Sequence, residues 1–497
     1  MTSNGTVLVT GVTGSIGSWV TRKFLDEGWS VIALVRGNER STAAARAHQA
    51  LEIVGAANHA NHVNVIQGDL CRKDLRKYLA PRCRAVSLVV HCAGILEFGP
   101  EFAELNRGVN VAGTANLLGL AETLNVPFCH FSTAYVAGKR RGRVFEEELD
   151  AGQEFHNAYE SSKAQAEKLV QDWAIQTGLP TFILRPGIVV GDSKEGRIVN
   201  FDGLYNFMRL LDSLAGTIGG KPFRVAANPG ATKNLIPVDY VTDAAWHIVT
   251  KSGIPGTYHI TNPDPTPLSV LRDIFVELFG IPGARLVDEQ DFSTARPNKL
   301  ELMYRKAADL YAPYLAAEPE FDRTHTNAAL DGVPAKIPQI NAAFFRKLLG
   351  YARSVDWGRA HRAPTPDGEN EEQYVERYFS SFLADKMHKQ LLPNLKNLSA
   401  TCRIVVEDIA AGPWSLSIDK GRLERISFNG ENCQCTFFLA SDTFTSIVRG
   451  KLAPQQAFFQ RDIDIEGDIE TGLKLATVLA AFFKKWPYRS QLHHVLP

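Results

Sequence analysis

The chain has 497 residues, of which 45% are apolar and 22% are charged. That length exceeds one ordinary domain, and the composition is that of a folded globular chain, which excludes an intrinsically disordered protein. Because 54 basic residues balance 54 acidic ones, no net charge favours nucleic acid or an anionic membrane. We therefore expect no nucleic-acid partner, while peripheral contact with lipid stays open.

The seven cysteines are scattered, without C-x-x-C spacing or clustered histidines. This pattern predicts neither a metal site nor a disulfide framework, and it is typical of a reducing compartment. The N-terminus lacks a basic segment ahead of an apolar one, and no apolar run reaches the roughly 20 residues that span a bilayer. We expect a cytoplasmic protein without a transmembrane segment.

Short apolar runs alternate with helical periodicity between about residues 6 and 261. The runs are apolar throughout, which is typical of strands buried on both faces of a parallel sheet, with crossover helices between them. The sequence therefore predicts an α/β fold with a doubly wound parallel sheet of the Rossmann type. The predicted strands are TVLVT, SVIALVR, part of VNVIQGDL, AVSLVVHCAG, PFCHFSTAYV and TFILRPGIVV.

The pattern changes twice after this region. Residues 263–357 contain helical segments separated by proline-containing loops, which we interpret as a substrate-side extension of the first domain. Residues 363–373, APTPDGENEEQ, have the composition of a linker. A helix and alternating strands such as CRIVVEDI and WSLSID follow. We predict domains at residues 1–362 and 374–497, the second a smaller α+β domain.

A glycine-rich turn follows the first predicted strand. In VLVTGVTGSIG, Gly11, Gly14 and Gly17 stand three residues apart between a strand and a helix. Such a turn lets the backbone and the helix N-terminus approach a diphosphate. We predict that this turn binds a dinucleotide, although glycines at this spacing also suit a plain tight turn. The other residues of the predicted binding turn are Thr13, Ser15 and Ile16.

The end of the second predicted strand indicates which dinucleotide binds. Arg36 stands where an NAD site usually carries an acidic residue, and a guanidinium there can bind the 2′-phosphate of NADP. We therefore predict NADPH as the cofactor, with NADH less favoured; the alternative is a solvated arginine at a strand end. We place Asp69 and Leu70 near the adenine, and the small Ala93 and Gly94 beneath the cofactor.

Tyr159 and Lys163 lie four residues apart in YESSK and so project from one helix face. An ammonium near a phenol favours phenolate and equips the tyrosine to exchange a proton with a carbonyl or alcohol oxygen. Thr133, at the end of the strand in FCHFSTAYV, is the predicted hydroxyl partner, because doubly wound sheets place their sites at the carboxyl ends of strands. A lone Tyr-x-x-x-Lys also suits a helix surface, but the preceding motifs favour catalysis.

With TGxxGxxG, HCAG, NVAGT, STAYV and YESSK in this order, residues 6–241 resemble the extended short-chain dehydrogenase/reductase superfamily. They look most like its fatty acyl-CoA reductase and thioester reductase branch. The resemblance implies that the glycine turn binds the diphosphate, Arg36 the NADP phosphate, and Lys163 the nicotinamide ribose. It also implies Thr133 and Tyr159 at the reacting oxygen and Pro186 beside the nicotinamide. The local sequence VAGKR departs from the family, and the lack of a preceding adenylation or carrier domain implies a free-standing enzyme.

A basic cluster and three histidines lie near these motifs. Lys139, Arg140, Arg141 and Arg143 can receive the phosphates of CoA or of a phosphopantetheine arm. A solvated loop balanced by the acidic run 146–148 is an equal alternative. We interpret His91, His130 and His156 as packing or loop residues.

Residues 394–488 resemble the sterol carrier protein type 2 family. The order of WSLSIDKGRLERI, a GKxxPxxAFF turn, and Gly-Asp before a final amphipathic helix carries this resemblance. It implies an apolar tunnel for an acyl chain or sterol between a half-apolar sheet and its helices. The alternative is that Phe437, Phe438, Phe458 and Phe459 fill a small core.

Three functions are compatible with these features. The first is NADPH-dependent reduction of an apolar acyl thioester, bound to CoA or to an acyl carrier protein, to an aldehyde or alcohol. The second is oxidation or reduction at a hydroxyl or keto group of a sterol-like lipid. The third, from another class, is a lipid-binding or transfer protein with a nucleotide-sensing domain, which the complete set of Thr133, Tyr159 and Lys163 disfavours.

Overall fold

The structure is a computed structural model that describes residues 4–37, 41–99, 102–333, 336–361, 368–389, 399–430, 432–450, 452–459 and 462–488. The chain separates into two compact units, called here the first unit, Met1–Arg362, and the second unit, Ala363–Pro497. Each unit contains one large sheet.

The strands of the first unit are β1 Thr6–Thr10, β2 Ser30–Val35, β3 Val63–Gln67, β4 Leu88–His91, β5 Phe128–Phe131, β6 Arg143–Val144, β7 Thr181–Pro186, β8 Ile188–Val190, β9 Phe223–Ala226, β10 Thr232–Lys233, β11 Leu235–Pro237, β12 Gly256–Ile260, β13 Thr266–Pro267, β14 Ala284–Val287 and β15 Glu320–Phe321. Its α-helices are α1 Ser15–Asp26, α2 Ala43–Ile53, α3 Leu75–Leu79, α4 Ala103–Asn106, α5 Gly113–Leu124, α6 Ala158–Thr177, α7 Leu204–Ile218, α8 Val238–His247, α9 Leu268–Phe279, α10 Glu289–Thr294, α11 Lys299–Ala308, α12 Thr324–Ala329 and α13 Ala342–Ser354. Among the 3₁₀ and π segments are Arg107–Ala112, Ala134–Ala137 and Asp309–Leu315.

Seven parallel strands form the central sheet of the first unit, in the order β12-β7-β5-β4-β1-β2-β3. Alternate residues of β1 enter different cores, because Val7 and Val9 pack on one face and Leu8 on the other. Burial on both faces explains why the strand sequences are apolar throughout. The predicted Rossmann-type α/β fold is confirmed.

A group of elements outside the central sheet covers its carboxyl end. Helices α7, α9 and α11 stand around the two-stranded pair of β9 and β14. The sequence predicts α9 and α13 but neither this pair nor α7. Strands of four residues carry too little periodicity to be separated from loops, and the extension therefore begins earlier in the chain than expected.

The second unit has a five-stranded mixed sheet in the order β18-β17-β16-β19-β20, with helices packed against it. The smaller α+β domain is confirmed, and β20 is an additional strand. Its strands are β16 Ala400–Val406, β17 Trp414–Asp419, β18 Arg422–Phe428, β19 Cys435–Leu439 and β20 Ile463–Gly467, and its α-helices are α14 Gly368–Arg377, α15 Ser441–Val448, α16 Pro454–Phe459 and α17 Ile469–Lys485.

The phenylalanines that were expected to line a tunnel divide into three groups. Phe437 and Phe458 are buried in the core, whereas Phe438 is half-buried. The side chain of Phe459 lies outside the described part of the structure. Core packing therefore accounts for Phe437 and Phe458.

Helix α14 begins at Gly368, inside the segment that the sequence predicts as a linker. Acidic residues near a helix N-terminus stabilise the helix by interacting with its dipole. Glu371 also accepts a hydrogen bond from Ser441. Tyr374 and Val375, one turn later, are fully buried. Residues 362–367 and the predicted helical residues 390–395 lie outside the described residues.

None of the helices in the described ranges combines the length and apolarity that crossing a bilayer requires.

Candidate active site

The glycine-rich turn joins β1 to the N-terminus of α1. Gly11 has a φ of +77°, and a Cβ there would stand 2.6 Å from the backbone N of Ala93. A Cβ on Gly17 would stand 2.1 Å from the carbonyl oxygen of Gly11. Gly14 caps α1 without a side-chain hydrogen bond. The bare helix N-terminus and the absence of side-chain bulk fit a bound diphosphate.

Two arginines meet at the carboxyl end of β2. The Arg36 side chain is 64% exposed, and its guanidinium lies 3.7 Å from a carboxylate oxygen of Asp69. Arg46, in α2, donates a hydrogen bond to the carbonyl oxygen of Arg36. Burial and the nearby charge of Arg36 lower the pKa of Arg46. Sequence reasoning missed Arg46, whose only signal is a basic residue in the helix that follows Arg36.

Leu70 and the Ala93–Gly94 pair lie where the cofactor was expected to run. Leu70 is buried against Gly113 at the start of α5, so it belongs to a core wall. Ala93 and Gly94 follow β4, and a Cβ on Gly94 would stand 3.1 Å from Oδ1 of Asn110. The small residue at position 94 thus permits a close approach between this loop and the π-helical segment Arg107–Ala112.

Asn110 fixes the loop after β4 to the helix that carries Tyr159. Its Oδ1 accepts a hydrogen bond from the N–H of Ile95 at 2.9 Å, and its Nδ2 donates to Oγ of Ser162 at 3.0 Å. Asn110 is 1% exposed and lies in the π segment Arg107–Ala112. Sequence reasoning missed this role, although the residue stands in the motif NVAGT.

Thr133, Tyr159 and Lys163 converge at the carboxyl end of β5. Asn157 caps α6 and so places Tyr159 in the first turn. The Thr133 side chain lies close enough to Tyr159 to affect the pKa of its hydroxyl. Lys163 is 5% exposed and donates from Nζ to the carbonyl oxygen of Phe131 at 2.6 Å.

Burial governs the titration of this pair. It raises the pKa of Tyr159 to about 12, with the Thr133 side chain acting in the opposite direction. It lowers the pKa of Lys163 to about 8, opposed by the negative charge of Glu167. The expectation of a lowered tyrosine pKa is therefore not met in this arrangement, since the ammonium bonds a backbone carbonyl. A phenol that stays protonated at neutral pH is suited to donate a proton.

One cavity of about 380 Å³ connects the glycine turn with the catalytic residues and continues into the extension. Eight of the predicted site residues line it, namely Gly14, Ser15, Ile16, Gly17, Gly94, Thr133, Tyr159 and Pro186. The other predicted site residues, Gly11, Thr13, Arg36, Asp69, Leu70, Ala93 and Lys163, are not part of this lining.

The part of the cavity inside the extension is called here the chamber. Its wall is mostly apolar and comes from Leu204, Phe207 and Leu211 of α7, Phe223 and Val225 of β9, Leu268, Leu271 and Phe275 of α9, and Ile281, Ala284 and Leu286. Four charged residues also belong to the cavity lining, namely Asp202, Lys233, Arg272 and Arg285.

Each member of the basic cluster after β5 already has a partner inside the first unit. The contacts are Lys139 with Glu154 at 2.9 Å, Arg140 with Glu148 at 2.6 Å, Arg141 with the carbonyl oxygen of Ala317 at 2.6 Å, and Arg143 with Asp322 at 2.6 Å. Of the four, Arg140 pairs with the acidic run 146–148, and the other three have partners elsewhere in the first unit.

The three nearby histidines have structural contacts. His91 lies between the hydroxyls of Thr10 at 2.7 Å and Thr114 at 2.9 Å. Burial lowers its pKa to about 3. His130 is fully buried behind it, and His156 contacts Glu160 at 3.0 Å. The buried pair is neutral at physiological pH and remains inside the core.

Residues 9–245 match the NAD-binding family described as male sterility protein, and residues 379–480 match the SCP-2 sterol transfer family. Carboxylic acid reductases of Mycobacterium marinum and Mycobacterium tuberculosis are 28% and 26% identical over 58% and 70% of this chain. The alignments span 27% and 34% of those longer proteins.

Among solved structures, the terminal R domain from the myxalamid PKS-NRPS biosynthetic pathway has a TM-score of 0.58 and 24% identity. That match covers 72% of this chain and 92% of the R domain. A thiolation-reductase di-domain from an archaeal non-ribosomal peptide synthetase has a TM-score of 0.59 and 19% identity, over 71% of this chain and 76% of its own. These two structures share the fold. The resemblance predicted from the sequence is confirmed: the NAD(P)-binding domain matches the male sterility protein family, and the C-terminal domain matches the SCP-2 sterol transfer family.

Proposed function

We propose that this protein uses NADPH to reduce an apolar acyl thioester to an aldehyde. The observation that carries the proposal is the single cavity that runs from the glycine turn past Thr133 and Tyr159 into the chamber. A cofactor, a reacting carbonyl and an apolar group can therefore lie in one continuous space. Apolar pockets with a few convergent polar groups are the usual form of such sites.

The chemistry follows from the protonation states of the catalytic residues. When bound, the nicotinamide supplies a hydride to the carbonyl carbon. Tyr159 and Thr133 donate hydrogen bonds to the carbonyl oxygen as charge develops on it, and the protonated phenol gives up its proton there. Asn110 and Ser162 hold the surrounding loop and helix in place. The hemithioacetal then loses its carbon–sulfur bond, releasing a thiol and an aldehyde, which a second round reduces to an alcohol.

The choice of NADPH is supported by Arg36 and Arg46. Both guanidiniums stand at the end of β2, where the 2′-phosphate of a bound NADP would lie. The contact between Arg36 and Asp69 is long and exposed, so a phosphate can compete for the arginine. Pro186 and Gly94 line the cavity at the strand ends that would flank the nicotinamide.

The thioester class is supported by the relatives and by the chamber. Carboxylic acid reductases and a thiolation-reductase di-domain are among the similar proteins, and the latter points to a carrier-bound acyl group. The chamber wall favours an apolar acyl chain. The second unit, as an SCP-2 family domain, would bind or present the lipid.

A sterol-like substrate is the second candidate, because the second unit belongs to the SCP-2 sterol transfer family. The same Thr133, Tyr159 and Lys163 would also suit a ketone, to which the bound cofactor would supply the hydride. A lipid-transfer protein that only senses nucleotide leaves the shared position of Thr133 and Tyr159 in the cavity lining unexplained.

The test incubates the purified full-length chain with NADPH or NADH and with acyl-CoAs, acyl carrier protein thioesters or ketosteroids. Cofactor oxidation is followed by absorbance, and products are identified by mass spectrometry. Aldehyde or alcohol formed from long acyl thioesters, faster with NADPH, supports the proposal. Turnover of ketosteroids alone would replace it with the second candidate.

A further inference from the structure

Four aromatic rings form a series along the reacting end of the cavity. Phe98 lies 6.0 Å from Tyr159 and 5.3 Å from Tyr314, and Tyr314 lies 5.4 Å from Tyr135, all between ring centroids. Tyr135 stands two residues after Thr133, which lies close enough to Tyr159 to affect its pKa. All four aromatic residues line the cavity. We call this series the collar.

The collar presents ring surfaces to the cavity, because the hydroxyl groups of Tyr135 and Tyr314 already have hydrogen-bond partners in the first unit. The hydroxyl of Tyr314 donates to Oε1 of Glu160 and accepts from Nδ2 of Asn157, both at 2.7 Å. The hydroxyl of Tyr135 donates to the carboxylate of Glu318. Burial, reinforced by these carboxylates, raises the pKa of Tyr135 and of Tyr314, so both remain neutral.

The segment that carries Tyr314 is fixed at several points. The carbonyl oxygen of Leu315 accepts from the N–H of Asn228 at 3.0 Å. Glu318 forms a buried ion pair with Lys233 at 3.1 Å. Widening the collar would break contacts that have no solvent to replace them. These contacts therefore hold Tyr135 and Tyr314 in place beside the cavity.

We propose that the collar selects acyl groups that are unbranched next to the thioester carbonyl. The inference rests on the proposed function and adds a substrate class to it. Because Tyr159 is a member of the collar, the carbonyl that it protonates lies within the collar, and the neighbouring carbon lies against the ring of Phe98 or Tyr314. A methyl branch at that carbon would overlap a ring, whereas a straight chain continues into the chamber.

The experiment compares kcat/KM for a straight acyl-CoA and for its isomer with a methyl branch next to the carbonyl. The wild-type enzyme is expected to favour the straight isomer by about tenfold or more, the usual scale for one methyl group in a fitted pocket. Tyr314→Ala should reduce this ratio by about tenfold. Phe98→Ala, in a different segment and without a hydroxyl to lose, should reduce it as well.

Two matched variants separate selection from general damage. Tyr314→Phe keeps the ring but removes a donor from the buried Glu160, so it should lower kcat while leaving the isomer ratio unchanged. Leu211→Ala enlarges the chamber and should alter the preferred chain length without altering the ratio. Size exclusion and thermal melting confirm that each variant is folded.

Different failures have different meanings. Equal turnover of both isomers by the wild type, or an unchanged ratio in folded Tyr314→Ala and Phe98→Ala, would overturn the collar proposal and leave the proposed function standing. If the wild type turned over neither isomer, supplied both as acyl-CoA and as acyl carrier protein thioester, the proposed function would be overturned and the collar proposal with it.

Discussion

The apolar residues of the two units are arranged differently. In the first unit, α7, β9 and α9 surround a chamber that opens towards Tyr159. In the second unit, the aromatic residues pack against one another: Phe379 stacks on Trp414 with ring centroids 4.4 Å apart and planes at 9°, and Tyr378 meets Phe444 at 5.2 Å. Within the described residues, the chamber shares one cavity with Thr133 and Tyr159. Under the proposed function, the chemistry would belong to the first unit, and the second unit would supply the lipid.

The largest expected effect is a difference between the two units in folding stability at low pH. In the first unit, burial lowers the pKa of His91 and of His259 to about 3, and it also lowers the pKa of His130. Unfolded histidines titrate near 6.5, so below that pH the unfolded state binds protons that the folded state does not. Two such groups should remove about 5 kcal/mol of folding free energy between about pH 6.5 and pH 4.5.

The measurement is circular dichroism against pH for chains 1–362 and 368–497. The described part of the second unit contains one histidine, the exposed His388. The first unit should therefore unfold at the higher pH. His91→Gln keeps a polar group between Thr10 and Thr114 without the titration, and it should shift the transition to lower pH. Coincident transitions of the two chains would contradict the expectation.

Tyr159→Phe separates the catalytic role of the first unit from the lipid role of the second. Loss of the proton donor should reduce turnover by about a hundredfold or more. Binding of NADPH, and of a fluorescent lipid by the second unit, should be unchanged. Tyr351→Phe, in α13 and outside the cavity lining, is the matched control. A Tyr159→Phe enzyme with normal steady-state turnover would remove this tyrosine from the mechanism.

Arg36→Ala tests the proposed binding of the NADP phosphate at the end of β2. The variant should weaken NADPH binding by about tenfold to a hundredfold while leaving NADH binding nearly unchanged, because only NADPH carries the phosphate. Arg46→Ala should act in the same direction. Fluorescence titration measures both cofactors, with Arg353→Ala, which breaks a surface pair with Asp212, as control. Equal losses for NADPH and NADH would refute the assignment.

The sequence is sufficient for features built from neighbouring residues. The runs of β1, β2 and β5 are apolar on both faces, the glycine turn follows directly, and the four-residue spacing of Tyr159 and Lys163 defines one helix face. These local patterns predict the sheet and place the catalytic residues together.

Features assembled from distant parts of the chain could not be predicted in this way. Tyr314 bonds Asn157 across 157 positions, and Tyr135 bonds Glu318 across 183. Neither pair belongs to a periodic pattern, since each contact depends on how the extension folds back over the sheet. The chamber could not be predicted for the same reason, because α7, β9 and α9 become neighbours only through tertiary packing.

The smallest expected effect concerns the contribution of the second unit to substrate supply. The cavity lining extends only from Gly14 to Leu315, so a chain ending at Arg362 should keep NADPH binding and its turnover of short, soluble acyl-CoAs. A tethered lipid-binding domain can supply an effective concentration near millimolar, which helps a poorly soluble acyl group and is irrelevant to a soluble one. The ratio of kcat/KM for the full-length and shortened chains should therefore rise by about several-fold from short to long acyl-CoAs. Adding the separate chain 368–497 should not restore the loss at micromolar concentration, because the benefit comes from the tether. A ratio that stays constant with acyl length would assign the second unit to another task, and the difference between the two units would then be one of architecture alone.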